Sequence, residues 1–260
     1  MPPLTDGAKA MPVRAVHDET PRDASPGGLA SLLPLLACPR CQADALQLLA
    51  AESVVVCQDC ATRYPVFRCG EALISWLFEN PNRTLLQWKA RYHGFLHNNS
   101  ADLERLRSAR TSNGSRPKTN ARIRRLLHAR ERYRRQIVDL LRPFNLDAID
   151  WPADGTAILE DKLPGNQGLS SYVSNVFRDW SWSNGESEEV FDAVARVADA
   201  DPRSSIGKVL VLGSGSCRLA YDVHRRYQPE TTVNVDINPL LLHIGMRVAK
   251  GDPVDLYEFP

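Results

Sequence analysis

The sequence predicts an α/β chain that holds the first half of a doubly wound parallel sheet, with a helical segment and a small four-cysteine metal ribbon ahead of it. Three observations carry this expectation. Two Cys-x-x-Cys pairs stand 15 residues apart near the start of the chain. A long arginine-crowded stretch follows, with apolar residues at helical spacing. Beyond it, Lys208 to Pro239, KVLVLGSGSCRLAYDVHRRYQPETTVNVDINP, runs through an apolar strand, a glycine turn, an amphipathic helix and a second strand that ends on an acid.

The 260 residues suffice for one large or two small domains, and a net charge of +1 makes no global case for a nucleic-acid or membrane partner. No apolar run approaches the length that crosses a bilayer. Residues 1–28 lack the continuous apolar core of a secretory signal and read as a disordered leader. Four of the six cysteines lie in paired spacing, which points to metal binding in a reducing cytoplasm rather than to a disulfide framework. The expected divisions are this leader, a ribbon at 29–78, a basic helical segment at 79–149 and the sheet-forming part at 150–260.

In the ribbon, Cys38, Cys41, Cys57 and Cys60 form C-x2-C-x15-C-x2-C. Each pair can aim two thiolates at one point, and two such knuckles on neighbouring hairpins complete a tetrahedron. Four thiolates leave no open coordination position, so the expected ion is a structural Zn2+. About 50 residues hold too little core to stand unaided, and the metal is expected to supply much of the folding energy. Strands are expected at Glu52 to Val56, into the second knuckle, and at Tyr64 to Val66, out of it. Cys69 is a further thiol, spare or simply buried. The order LLxLLACPxC, a second Cys-x-x-Cys and then RYPV resembles the small zinc-ribbon proteins that activate tRNA, rRNA and protein methyltransferases. Cys69-Gly70 stands where that family has Asp-Gly. The resemblance implies a partner methyltransferase.

From Asn80 to Pro143 the chain reads as helical, with one helix around Leu85 to Phe95, another near Leu103 and a break at Ser112 to Thr119. Arg122, Arg124, Arg125, Arg130, Arg132, Arg134, Arg135 and Arg142 crowd the last stretch beside an apolar stripe that includes Ile123, Leu127, Tyr133 and Ile137. Two readings are open: an RNA- or phosphate-facing surface, or a solvated helix packed on the rest of the chain, which is the preferred one. The scarcity of interleaved aromatics argues against a stacking platform for single strands.

From Asp150 to Asn184 the pattern is irregular and turn-rich; Glu186 to Val197 is an amphipathic helix, and an acid-rich linker at 198–205 leads to the first strand. That strand, Val209 to Leu212, stops at Gly213-Ser214-Gly215-Ser216. A helix with Leu219, Ala220, Val223 and Tyr227 on one face runs until Pro229, and the second strand, Thr231 to Val235, ends on Asp236. Paired glycines let a ligand approach bare backbone, and an acid roughly 20 residues on can accept hydrogen bonds from a ribose, so the crevice suits adenosine. Arg218 stands where a nicotinamide fingerprint has its third glycine. A plain strand-to-helix turn would also explain GSG, but Asp236 and the Asn238-Pro239 helix start independently favour the cofactor site.

The segment resembles motif I of the class I S-adenosylmethionine methyltransferases, with Cys217 at the third glycine and Val211 where an acid often stands. RDWS, then Gly185-Glu186 with an acidic helix, then KVLVxGxGxxRL is similar to the carnosine N-methyltransferase family, in which the position of Val211 is likewise not acidic. This likeness runs from Leu126 to Pro260. The resemblances imply a partial Rossmann-like class I methyltransferase fold. They place S-adenosyl-L-methionine on Gly213, Ser214, Gly215 and Asp236, with Arg178 or Arg218 toward its methionyl carboxylate. The implied reaction methylates a nitrogen of a histidine-containing small molecule or peptide. Asp179 is a further candidate, against a plainer reading in which Arg178 and Asp179 lie exposed at a helix end.

After Asn238-Pro239, Gly251 closes a helix and Val254 to Phe259 reads as the third strand of the same sheet. The whole sheet would need roughly four more. No residue is nameable as the catalytic base. The expectation is a cytoplasmic methyltransferase whose catalytic half lies outside this chain, and the alternative is a non-catalytic zinc-ribbon adaptor that docks on a partner methyltransferase.

Overall fold

The computed structural model describes residues 11–13, 29–69, 72–75, 77–78, 81–112, 116–144, 169–182, 185–200 and 206–256. In chain order the elements are β1 (Met11–Val13), α1 (Leu29–Leu32), β2 (Leu46–Leu49), β3 (Val54–Cys57), β4 (Arg63–Cys69) and β5 (Ala72–Ser75), followed by α2 (Pro81–Ser112) and α3 (Pro117–Leu141). Then come α4 (Leu169–Trp180), α5 (Glu186–Asp199), β6 (Lys208–Leu212), α6 (Arg218–Tyr227), β7 (Thr231–Val235), α7 (Pro239–Ala249) and β8 (Val254–Leu256). The chain divides into two compact units, one of residues 1–12, 86–173 and 255–260, the other of residues 13–85 and 174–254. The turn-rich stretch from Asp150 lies outside the described residues up to 168, as do most of the leader and the side chain of Cys69. Among the described residues no helix is long and apolar enough to cross a membrane.

The second unit contains the ribbon, a sheet in the order β2-β3-β4-β5 with every neighbour antiparallel. Val54, Val55 and Val56 are β-branched and suit a half-buried strand, and their register sets Val55 opposite both Leu48 and Tyr64. Val55 and Tyr64 are fully buried, and Leu29 and Leu33 close over them with Val66, Cys38 and Cys57. The strand expected from Glu52 begins two residues late, at Val54, because Ala50–Glu52 is a 3-10 turn and Ser53 takes a left-handed φ of 51° to close the hairpin. The structure adds β2 and β5, whose four-residue runs LQLL and ALIS are too short to announce themselves.

The same unit holds a parallel pair, β6 and β7, in register from Lys208↔Thr231 to Leu212↔Val235. Helix α6 makes the crossover, and α5 lies on it, tied by the Tyr227 hydroxyl and Arg226 Nη2 to Asp199 at 2.8 and 2.7 Å. Asn238 caps α7 as its sequence predicts: Leu240 N–H donates to Asn238 Oδ1 at 2.9 Å, and Pro239 fills the first turn. One expectation fails here. The strand expected to extend this sheet spans Val254–Leu256 and pairs with β1 instead, which also gives part of the leader a structure that its composition had not suggested. Parallel sheets are ordinarily covered on both faces, yet Leu210 and Leu212 are 60% and 73% exposed, and Val235 and Ile237 are exposed beside them.

In the first unit α2 and α3 form an antiparallel hairpin, in which Leu103 packs with Ile123 and Leu127, and Arg134 Nε reaches Ser100 Oγ at 3.1 Å. Pro117 starts α3 at a position where its missing N–H costs nothing. The two helices expected before the break are one, continuous through Gly94. A glycine costs a helix only about 1 kcal/mol, which the packing of Trp88, Tyr92 and Leu103, all buried, outweighs.

Candidate metal centre and cofactor crevice

The two Cys-x-x-Cys turns are built alike. Cys38 N–H donates to Ala43 O and Gln42 N–H to Cys38 O; nineteen residues on, Cys57 N–H donates to Thr62 O and Ala61 N–H to Cys57 O, all at 2.8–3.0 Å. Gln42 and Ala61, each the residue after the second cysteine, share a left-handed backbone with φ of 64° and 55°. Side chains enter that region only at a cost, so the surrounding bonds hold it in place. The product is a set of four sulfurs lying within 4.8 Å of one another. Cys38 and Cys60 sulfurs are 3.7 Å apart, and those of Cys41 and Cys57 3.5 Å. A tetrahedral ion with metal–sulfur bonds of about 2.3 Å needs edges of about 3.8 Å. Cys38, Cys41, Cys57 and Cys60 could therefore hold one metal ion, and the spacing is compatible with zinc.

The electrostatics of this cluster favour ionised sulfur at selected positions. Burial opposes ionisation of Cys38, but the Tyr64 hydroxyl at 2.9 Å and backbone bonds at Cys41 and Arg40 bring its thiol down to about 6. Thr62, through its side chain and backbone, lowers Cys60 as well. At Cys41 a backbone bond at Ala43 favours the thiolate, yet lost hydration and the other sulfurs push it up to about 12. A bound divalent ion would ease that conflict by offsetting two of the four negative charges and favouring the thiolate at each sulfur. Arg40 Nη1 donates to Thr62 Oγ1 at 3.3 Å, so even the partners of the thiols are held.

The glycine bend is the second site. Gly213 and Gly215 have left-handed φ values of 63° and 55°, which is why β6 can stop so abruptly. Cys217, where the resembling motif has glycine, is left-handed too, at 66°. Its thiol is pushed up to about 12 by burial and so stays protonated. Gly215 N–H donates to Asp236 Oδ2 at 2.8 Å, and Asn238 N–H to Asp236 Oδ1 at 2.7 Å. Ser214 N–H donates to Val235 O at 3.1 Å, which clamps the bend against the end of β7. The structure thus brings Gly213, Ser214, Gly215 and Asp236 together.

Around the bend lies a layer the sequence did not disclose. Asp179 is 8% exposed, not a solvated helix end: it accepts from Ser216 Oγ at 2.6 Å and from Arg178 Nε at 3.0 Å. Trp180 Nε1 donates to Ser216 O at 2.8 Å. Arg218 is fully engaged, with Nε on Asp222 at 2.7 Å, Nη1 on Asp179 O at 3.0 Å and its guanidinium over the Trp180 ring. Arg178 stays half-exposed beside Asp179 and Glu186. The only advance sign of this layer is the RDW triplet itself.

His243, on α7, is 4% exposed, and burial together with Arg247 pushes its imidazole down to about 4 from 6.5. The folded state keeps it neutral while the unfolded chain takes up a proton. Its contribution is complete above pH 6.5 and is lost as the pH falls toward 4, up to about 3 kcal/mol. Urea melts at pH 7 and pH 4.5 are expected to show a smaller acid-dependent loss in His243→Gln than in the parent.

Comparison with known proteins adds no relative: no family model, no curated protein and no solved structure matches this chain.

Proposed function

We propose that the chain is the cofactor-binding part of an S-adenosyl-L-methionine-dependent methyltransferase carrying a structural zinc ribbon. Its acceptor, from the likeness of the RDWS and KVLVxGxGxxRL segments, is a nitrogen in a histidine-containing small molecule or peptide. The observation that carries the reading is the contact between the Gly215 amide and the Asp236 carboxylate across the mouth of the bend. Each Asp236 oxygen takes one backbone N–H and keeps a second lone pair, enough for the two hydroxyls of one ribose. The chemistry of methyl transfer asks the protein mainly to align donor and acceptor, and a bend fixed by Asp179, Trp180 and Asp236 supports such alignment.

Calorimetric titration with S-adenosyl-L-methionine tests this. The parent chain is expected to bind at micromolar levels, and Asp236→Ala to bind roughly 10- to 100-fold more weakly, the worth of hydrogen bonds to a charged acceptor. A parent that takes up no cofactor while its ribbon still holds metal would move the conclusion to the second reading, a non-catalytic adaptor. The exposed Leu210 and Leu212 of β6, Val235 of β7 and Ile237 just beyond it favour that alternative, since a partner's elements would cover them.

A further inference from the structure

The near-neutral chain hides a strongly segregated charge. Residues 101–142 carry thirteen Lys and Arg against four Asp and Glu, a surplus of nine in a chain whose net charge is +1. All four acids are already spent. Asp102 pairs with Arg105 and Arg130, Glu104 and Glu131 both with Arg107, and Asp139 with Arg142. Arg110, Arg116, Lys118, Arg122, Arg124 and Arg135 are exposed and form no ion pair among the described residues.

These cations are not scattered. Arg110, in the last turn of α2, lines a cleft of about 340 Å³ with Arg124, Leu127 and His128 of α3, and the paired Arg107 and Glu131 line it too. Along α3, Arg124, His128 and Arg135 recur on one exposed face over about 16 Å. The hairpin's aromatics, by contrast, are committed to its interior: Trp88, Tyr92, Tyr133 and Phe144 are buried, and Phe95 packs edge-on against Tyr133. A surface with free arginines and no exposed Phe, Tyr or Trp among its described residues can hold phosphates but offers unpaired bases little to stack on.

We propose that the α2–α3 hairpin is a docking surface for the phosphodiester backbone of a nucleic-acid duplex, bound without base recognition. This rests on the helical unit alone and is independent of the cofactor reading. The cleft of Arg110, Arg124 and His128 takes one phosphate, and the α3 stripe follows the strand beyond it. An acidic protein is the rival occupant.

Fluorescence anisotropy with the full chain decides the matter, using labelled RNA and DNA duplexes of one sequence and about 16 base pairs, at salt from about 50 to 200 mM. Binding with Kd of about 10⁻⁴ to 10⁻⁶ M near physiological salt is expected, falling steeply as salt rises. The tighter of the two arms identifies the kind of duplex. Replacing both Arg110 and Arg124 by alanine is expected to flatten the slope of log K against log salt by about 2, while Lys250→Ala, outside the hairpin, leaves it unchanged. The proposal is overturned if neither duplex binds at about 50 mM salt, if the double variant keeps the parent slope, or if polyglutamate competes as well as either duplex.

Discussion

Gly245→Ala is expected to lower stability by about 2 kcal/mol, although alanine is the better helix former by about 1 kcal/mol. Helix α7 meets the glycine bend so closely at this point that a new Cβ would lie 2.3 Å from Ser216 O and 2.6 Å from Ser216 C. Those atoms are backbone, and the Ser216 carbonyl is already held by Trp180 Nε1 at 2.8 Å, so they cannot swing aside as a side-chain end would. Either α7 moves outward or the bend shifts, and in both cases the Gly215–Asp236 contact is disturbed. Urea denaturation followed by circular dichroism checks the loss. Gly94→Ala provides the opposite sign: that glycine has nothing within 4 Å of its would-be Cβ, so only the helical preference acts and the chain gains about 1 kcal/mol.

A larger effect is expected at the ribbon. Cys38 and Cys57 are at once proposed metal ligands and members of the small core with Leu29, Leu33, Val55, Tyr64 and Val66. Structural zinc contributes on the order of 10 kcal/mol or more to small domains that fold around it. So few buried side chains cannot replace that sum. Cys38→Ser or Cys60→Ser is therefore expected to release the ion and unfold β2 through β5, and a strong chelator is expected to do the same to the parent. Limited proteolysis between Ala45 and Ser75 reports it: protected before, cleaved after. A serine variant that keeps both its metal and its protection would show that fewer than four thiolates suffice.

The parts of this molecule that were legible in the sequence are those with a short-range cause. The knuckles announce themselves by cysteine spacing. The β6, α6 and β7 run is visible because an apolar strand, two glycines, a helical stripe and Pro229 each act locally, and the Asn238-Pro239 cap does too. What stayed hidden depends on contacts between segments distant in sequence. Asp179 looks like an exposed acid beside Arg178 until Ser216, 37 residues on, donates to it. Three-residue β8 carries no pairing information of its own, and its partner β1 lies at the other end of the chain. Gly94 and Gly245 both lie inside helices, yet the first has nothing within 4 Å of a would-be Cβ and the second is pressed against the Ser216 backbone. One sequence cannot tell those two glycines apart, because the difference is what faces them.

The four-thiolate centre is the claim on which the ribbon depends. Its most direct measurement is the metal content of the purified, reduced 260-residue chain by inductively coupled plasma mass spectrometry, with native mass spectrometry for the bound state. The account predicts one zinc per chain, lost on replacing Cys38 or Cys60 by serine. Iron in its place, or a folded and protease-resistant ribbon with no metal at all, would contradict it.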